Sequence, residues 1–118
     1  MNEDQLIKEL SRNSEVIEAY VLIREIKVCL NIEQSTFHPS IYIKIWKSNL
    51  TPEQPYHFTI SHFVQTPNEG AYRPSGTSAE SESEAIFLAI SATTNFLHLG
   101  VSKGLHPDDT WLMPNPDY

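Results

Sequence analysis

The residues best suited to metal binding and acid–base chemistry in this sequence are its five histidines, His38, His57, His62, His98 and His106. A structural zinc ion needs four nitrogen or sulfur ligands, and catalytic zinc sites use motifs such as HExxH, which the sequence lacks. His57 and His62 lie five residues apart in one expected strand, so their side chains point to opposite faces. We therefore expect no metal site, with His62 and His98 at the edge of the core.

Nucleophilic chemistry has one distinctive candidate, the single cysteine Cys29. Lys27 lies on the same face of the expected strand, and a neighbouring ammonium favours the thiolate. A reactive thiol also tends to have a helix N-terminus or a base beside it, and neither is expected here, so an unreactive thiol is favoured. The serines form no Gly-x-Ser-x-Gly elbow, and the four glycines form no phosphate-binding loop. We expect no catalytic residue and no cofactor, which favours a protein that is not an enzyme.

Fifteen acidic residues against eight basic ones give the chain a formal charge of −7. DNA, RNA and anionic membranes attract clustered lysine and arginine, so we expect none of them as a direct electrostatic partner. Many of the acids fall where two helices are expected to begin, and there they complement the helix dipole. These are Glu3 and Asp4 in the first helix and Glu80, Glu82 and Glu84 in the second.

Length and composition favour one globular domain over residues 1–118, of which 40% are hydrophobic. One cysteine excludes a disulfide framework within the chain and favours a reducing compartment. Met1 is followed by Asn2, Glu3 and Asp4 rather than by basic and apolar residues, so we expect no secretory leader and a cytoplasmic location. The uncharged stretch 85–102 contains several polar residues, which favours a buried core helix over a membrane span.

The N-terminal segment predicts a helix that Asn2 caps, because Leu6, Leu10 and Ile17 recur near helical spacing. Residues 11–14 are polar enough to break or kink it. Residues 19–23 are ambiguous, since their β-branched and aromatic side chains also suit a strand. We interpret the helix as continuing to about residue 23.

From residue 25 the apolar residues alternate with polar ones, which is typical of half-buried strands. Three antiparallel strands are predicted, at 26–32, 41–46 and 56–65, with a short fourth at 71–73. Residues 74–79 are small and polar and predict a loop. In the second strand Ile41, Ile43 and Ile45 share one face, while Tyr42 and Trp46 lie on the other.

A second helix is predicted from the capping box Ser81–Glu84, with Gly100 placed to end it in the left-handed conformation. The remaining residues, 104–118, include three prolines and cannot form one regular element. We expect this tail to pack back on the domain, because a free Trp111 would expose a large apolar area.

The predicted fold is α+β, a two-layer sandwich in the order helix, three or four antiparallel strands, helix and irregular C-terminal tail. Both helices are expected on the isoleucine face. This order of elements resembles that of double-stranded-RNA-binding domains, a family that places lysines at the start of its last helix to contact phosphates. The matching segment Ser78–Glu84 contains three glutamates and no lysine, so RNA binding is not carried over to this chain.

The face of the sheet away from the isoleucines is the one suggestive surface, because it places aromatic residues among polar ones as protein- and ligand-contact sites do. An ordinary solvated sheet face is an equally favoured interpretation. The face is expected to include Phe63, which falls on the same alternation as His57. The candidate binding residues are Tyr42, Trp46, His57, Phe63 and Trp111.

Three functions follow as hypotheses. The first is a non-enzymatic interaction module that associates with itself or with another protein through this open face. The second is a small-molecule-binding or enzymatic domain with a pocket between sheet and tail, where Tyr42, His57 and Trp111 converge. The third is an acidic inhibitor that mimics nucleic acid, which requires acids gathered on one exposed face rather than scattered over helix starts.

Overall fold

The computed structural model describes residues 1–67 and 69–118 and confirms an α+β fold with a mostly antiparallel sheet and a C-terminal tail. The main sheet has four strands in the order β1-β2-β3-β5, and β4 and β6 form a second, two-stranded sheet. The elements in chain order are α1 (Glu3–Arg12), β1 (Tyr20–Cys29), β2 (Ser40–Ser48), β3 (Tyr56–Ile60), β4 (His62–Val64), β5 (Ser78–Ala79), α2 (Glu82–Ser102), a 3₁₀ turn (Asp109–Trp111) and β6 (Leu112–Pro114).

The first helix is shorter than the sequence predicts, and the extension to residue 23 is wrong. Asn2 and Gln5 form a capping box at its start, and Asn13 ends it with extended backbone angles. The Asn13 side chain then accepts a hydrogen bond from the backbone N–H of Glu15 at 3.0 Å, an interaction that competes with helix continuation. Beyond this break the β-branched and aromatic run beginning at Tyr20 pairs with β2 instead.

The inner face of the main sheet is the isoleucine face, as predicted. Ile41, Ile43 and Ile45 are fully buried, and Ile43 lies between Ile26 of β1 and Ile60 of β3. The buried side of α2 covers this face with Ala85, Ala89, Thr93 and Leu97.

The helix α1 contacts β1 and β2 without burying any of its own residues. Its Asp4 pairs with Lys47, which lies on the inner face next along β2 from Ile45. The Lys47 ammonium lowers the pKa of Asp4 below its ordinary value.

The second helix runs two residues beyond its predicted end. Gly100 lies inside α2 and is buried, and the left-handed glycine after the helix is Gly104, with a φ of 81°. By length and composition α2 is able to cross a membrane, and 28% of its most apolar window is buried within this chain.

The predicted third strand divides at Ser61, where the hydrogen-bonding partners change. The Tyr42 N–H donates to the Ser61 side chain at 2.8 Å, and the Ser61 carbonyl accepts from Asn115 at 2.8 Å. The chain then leaves the main sheet, and β4 pairs with β6 from the tail. The predicted fourth strand at 71–73 is reduced to one bridge between Tyr72 and Val64, whereas β5 lies in the segment predicted as loop.

Candidate functional site

The outer face of the main sheet carries an exposed apolar groove at one end. Its volume is about 420 Å³, and we call it the outer groove. Exposed fractions are 50% for Tyr20, 43% for Leu50 and 45% for Leu22, which lies beside Trp46 on the same face. The lining residues are Tyr20, Trp46, Leu50, His57, Phe58, Thr59 and Thr77.

Strand register positions the side chains of the outer groove. Trp46 lies opposite Leu22 of β1 and opposite His57 of β3, so the three form one row across the sheet. A β-bulge between Leu22 and Arg24 adds one residue to β1. Because of it, Leu22 and Glu25 both lie on the outer face although they are three residues apart.

The aromatic side chains of this groove are held in place by polar contacts. The Trp46 Nε1–H donates to Thr59 Oγ1 at 3.2 Å. The Tyr20 ring meets the His57 ring edge to face, with centroids 6.1 Å apart. A surface with side chains fixed in this way loses little conformational entropy when a partner binds.

His57 lies at the floor of the outer groove with both ring nitrogens hydrogen-bonded. Nε2 lies 2.6 Å from Ser48 Oγ, and Nδ1 lies 3.2 Å from Ser78 Oγ. Burial lowers the pKa of His57 below its ordinary value of 6.5, so the neutral ring is favoured near pH 7. One nitrogen of a neutral imidazole donates and the other accepts, so both ring nitrogens of His57 have hydrogen-bond partners within the fold.

The depressed pKa of His57 predicts a pH-dependent stability. The unfolded chain binds a proton at His57 as the pH falls through about 6.5, whereas the folded chain binds it only at lower pH. The stability that the neutral His57 ring contributes is therefore fully present above about pH 6.5. It is lost as the pH falls through the lower folded pKa. Urea unfolding at about pH 7.5 and about pH 5.5 should show a decrease in stability that His57→Gln reduces. The same change at the exposed His106 should leave the decrease in stability as large as in the wild type. An equal decrease in stability for both variants would contradict this account.

The C-terminal tail crosses the outer face and divides it. The Tyr118 hydroxyl donates to Glu25 Oε2 at 2.6 Å, and Lys44 Nζ donates to the Tyr118 backbone carbonyl at 3.0 Å. Burial and the Glu25 carboxylate raise the pKa of Tyr118. Glu25 and Lys44 are paired across the strands between the row of Tyr42 and the row of Trp46. Tyr42 therefore lies on the far side of the tail from the outer groove.

Two of the five candidate residues are buried and do not lie on the open face. Phe63 belongs to β4, is 8% exposed and has the Arg73 guanidinium 4.7 Å from its ring centroid. The expectation that Phe63 is exposed is wrong because the chain changes sheets at Ser61. Trp111 is 3% exposed, and its ring packs against Gly100 of α2.

The predicted convergence of Tyr42, His57 and Trp111 is not seen. His57 and Trp111 line separate cavities, and Tyr42 lies beyond the tail. Sequence reasoning brought together Trp46 and His57 but missed Tyr20, Leu22 and Leu50. The first two were hidden by placing their segment in a helix.

The acidic residues around the start of α2 and the single cysteine lie outside the groove and make local contacts. Glu82 pairs with Arg24, and Glu84 accepts a hydrogen bond from the Glu80 backbone at 3.0 Å. Cys29 is exposed, with its Sγ 3.6 Å from the His38 carbonyl. Over residues 1–67 and 69–118, histidine, cysteine and acidic side chains form no group of three able to hold a metal ion.

Comparisons of the chain with protein families, with curated proteins and with solved structures found no match.

Proposed function

We propose that this chain is a non-enzymatic interaction module that binds a protein partner, either another protein or a second copy of itself, through the outer groove. The observation that carries the proposal is the row formed by Leu22, Trp46 and His57, flanked by the exposed Tyr20 and Leu50. Apolar side chains that gather on one exposed surface mark interaction sites more often than the same residues scattered singly.

The residue types and their fixation support this function. Tyrosine and tryptophan are enriched among residues that dominate binding energy. Trp46 and Tyr20 are on paired strands, and Trp46 is hydrogen-bonded to Thr59, so the surface is preformed. Because both ring nitrogens of His57 are bonded to hydroxyls, binding of an apolar partner leaves no ring nitrogen without a hydrogen bond.

A photoreactive phenylalanine derivative at position 22 tests the proposal. In an extract of the organism that makes the chain, we expect it to form a discrete cross-linked adduct with a protein. The control is the same group in place of Phe87, which is 67% exposed on the outer side of α2. Position 87 should give no such adduct. Equal labelling from both positions, or none from position 22, would remove the basis for an interface on the outer face.

A second candidate function is binding of a small apolar ligand. The groove volume of about 420 Å³ lies within the range of small-molecule sites, and its lining is mostly apolar around His57. A fluorinated tryptophan at Trp46 would report binding of apolar fragments as a saturable shift of its fluorine resonance. A shift that the Leu50→Asp variant abolishes supports this function, and the lack of any saturable shift removes it.

The third hypothesis, mimicry of nucleic acid, gains no support from the placement of the acids. Asp4 pairs with Lys47 on the inner side of the sheet, and Glu82 pairs with Arg24 at the start of α2. These two acids are paired with bases at separate places on the sheet, whereas mimicry requires acids gathered on one exposed face.

A further inference from the structure

The strand β1 is an unpaired edge of the main sheet. In the sheet as described for residues 1–67 and 69–118, β2 is its one neighbour. It is ten residues long and none of its residues is buried. A long edge strand presents unpaired N–H and C=O groups that favour pairing with another strand.

The alternation of hydrogen bonds shows which residues face this free edge. The Leu30 N–H donates to the Pro39 carbonyl on the β2 side at 2.8 Å. Groups two residues apart on a strand point the same way, so Val28 and Ile26 also face β2. The backbone groups of Glu25 and Lys27 therefore point away from the sheet.

We propose that a second copy of the chain pairs antiparallel along this edge, with the two-fold axis at Ile26. Residues directly opposite each other in an antiparallel pair lie on the same face, which limits the registers available to the segment 24–28. A centre at Glu25 places two glutamates opposite each other, and a centre at Lys27 places two lysines opposite each other. A centre at Ile26 places Glu25 opposite Lys27 of the second copy, twice by symmetry.

The same register satisfies the backbone and covers apolar surface. Glu25 and Lys27 both direct their backbone groups outward, so each of their pairs exchanges N–H and C=O groups across the axis. Ile26 and Val28 are only half-buried on the inner face. In the pair, Ile26 would contact Ile26 of the second copy, and Val28 would pack against the stem of its Arg24.

Electrostatics favours this register over those centred at Glu25 and Lys27 rather than supplying the affinity. Exposed ion pairs contribute little free energy, but like charges directly opposite each other destabilise a strand pair. Glu25 is already oriented by the Tyr118 hydroxyl, which uses Oε2 and leaves Oε1 available for Lys27 of the second copy. The dimer goes beyond the proposed function, because it would place two outer grooves on one continuous sheet of twice the width.

Charge exchange within the edge tests the proposal by sedimentation equilibrium over a wide range of protein concentrations. We expect the wild-type chain to dimerise. Glu25→Lys and Lys27→Glu each turn both cross-strand attractions into repulsions, so each should raise the dimer dissociation constant about tenfold. The double variant restores both attractions and should return to within about threefold of the wild type.

Mixing the two single variants provides a further arm. One copy then contributes two lysines and the other two glutamates, so the mixture should form a heterodimer more tightly than either variant forms a homodimer. Glu25→Lys also removes the contact with the Tyr118 hydroxyl, whereas Lys27→Glu keeps it. Weaker dimerisation of Lys27→Glu is therefore an effect on the interface and not an effect of losing that contact. Lys103→Glu, at an exposed site that directly follows α2 and lies outside β1, is the matched control and should leave dimerisation unchanged.

A wild-type chain that stays monomeric at every concentration would overturn the proposal. A double variant as weak as the single variants would overturn it as well. A dimer that is unaffected by these charge changes but dissociates in Leu50→Asp, a change in the outer groove and outside β1, would instead place self-association at the outer groove. That outcome would reject the edge dimer and support binding through the outer groove. Failure of the edge dimer is therefore distinguishable from failure of the proposed function.

Discussion

Replacing Trp111 with alanine should lower the free energy of unfolding by about 3–5 kcal/mol, the range for deleting a buried aromatic side chain. Trp111 is almost fully buried, and its ring occupies the space that Gly100 leaves open in α2. A Cβ at position 100 would overlap Cζ3 of that ring, so the ring packs directly on the α2 backbone. The Trp111 carbonyl also accepts a hydrogen bond from Gln65 at 2.8 Å. Urea unfolding monitored by circular dichroism measures this loss in the free energy of unfolding.

The matched control for this prediction is Trp46→Ala. Trp46 is half-buried on the outer face, so its removal should cost clearly less stability than removal of Trp111. Faster amide exchange at Asn115 should accompany Trp111→Ala, because the tail is expected to loosen with its anchor. If both tryptophan variants lost equal stability and Asn115 kept its protection, the docking of the tail by Trp111 would be incorrect.

Replacing Ile43 with alanine should cost about 2–5 kcal/mol of the free energy of unfolding. Ile43 lies in the centre of the main sheet, with Ile26 and Ile60 beside it and α2 above the same face. The surrounding strands are fixed by backbone hydrogen bonds and have little freedom to close the cavity. Chemical denaturation again measures the loss.

The adjacent Tyr42 provides the control because it faces the opposite side of β2. Tyr42 is 43% exposed, and Tyr42→Ala should cost much less than Ile43→Ala. A larger loss at Tyr42 than at Ile43 would mean that the inner and outer faces have been assigned the wrong way round.

The sequence was sufficient for the face of each central strand and for the start of the second helix. Alternation with a period of two puts Ile41, Ile43 and Ile45 on one side whatever the partner strands are, so their burial could be predicted. The start of α2 is also a local feature, since the Ser81 side chain accepts a hydrogen bond from the Glu84 backbone at 3.1 Å. Such signals depend on residues within one turn of helix or one strand.

The features that could not be predicted depend on residues far apart in the chain. Ser61 ends the third strand because the tail provides Asn115 as a partner for its carbonyl. An alternating pattern does not show whether two halves of a strand belong to the same sheet. The end of α1 was missed because the polar residues 11–14 suit a kink as well as an end, and the strand that follows is stabilised by β2 rather than by its own propensity.

The candidate site was partly predictable for the same reason. Trp46 and His57 are opposite each other in neighbouring strands, and their shared face followed from the alternation. The tail that separates Tyr42 from Trp46 and His57 is fixed by the contacts of Tyr118, which lies 74 residues after its partner Lys44. Its path over the outer face has no signature in a sequence of prolines and polar residues.

The measurement that tests the central claim most directly is competition for cross-linking from position 22. Unlabelled wild-type chain in excess should abolish the adduct formed by the photoreactive group, because both compete for the same protein. Unlabelled Leu22→Asp, which places a charge beside the outer groove next to Trp46, at an exposed position that tolerates it in the fold, should not compete. If Leu22→Asp competed as well as the wild type, the adduct would not depend on the groove, and the outer face would not be the binding surface.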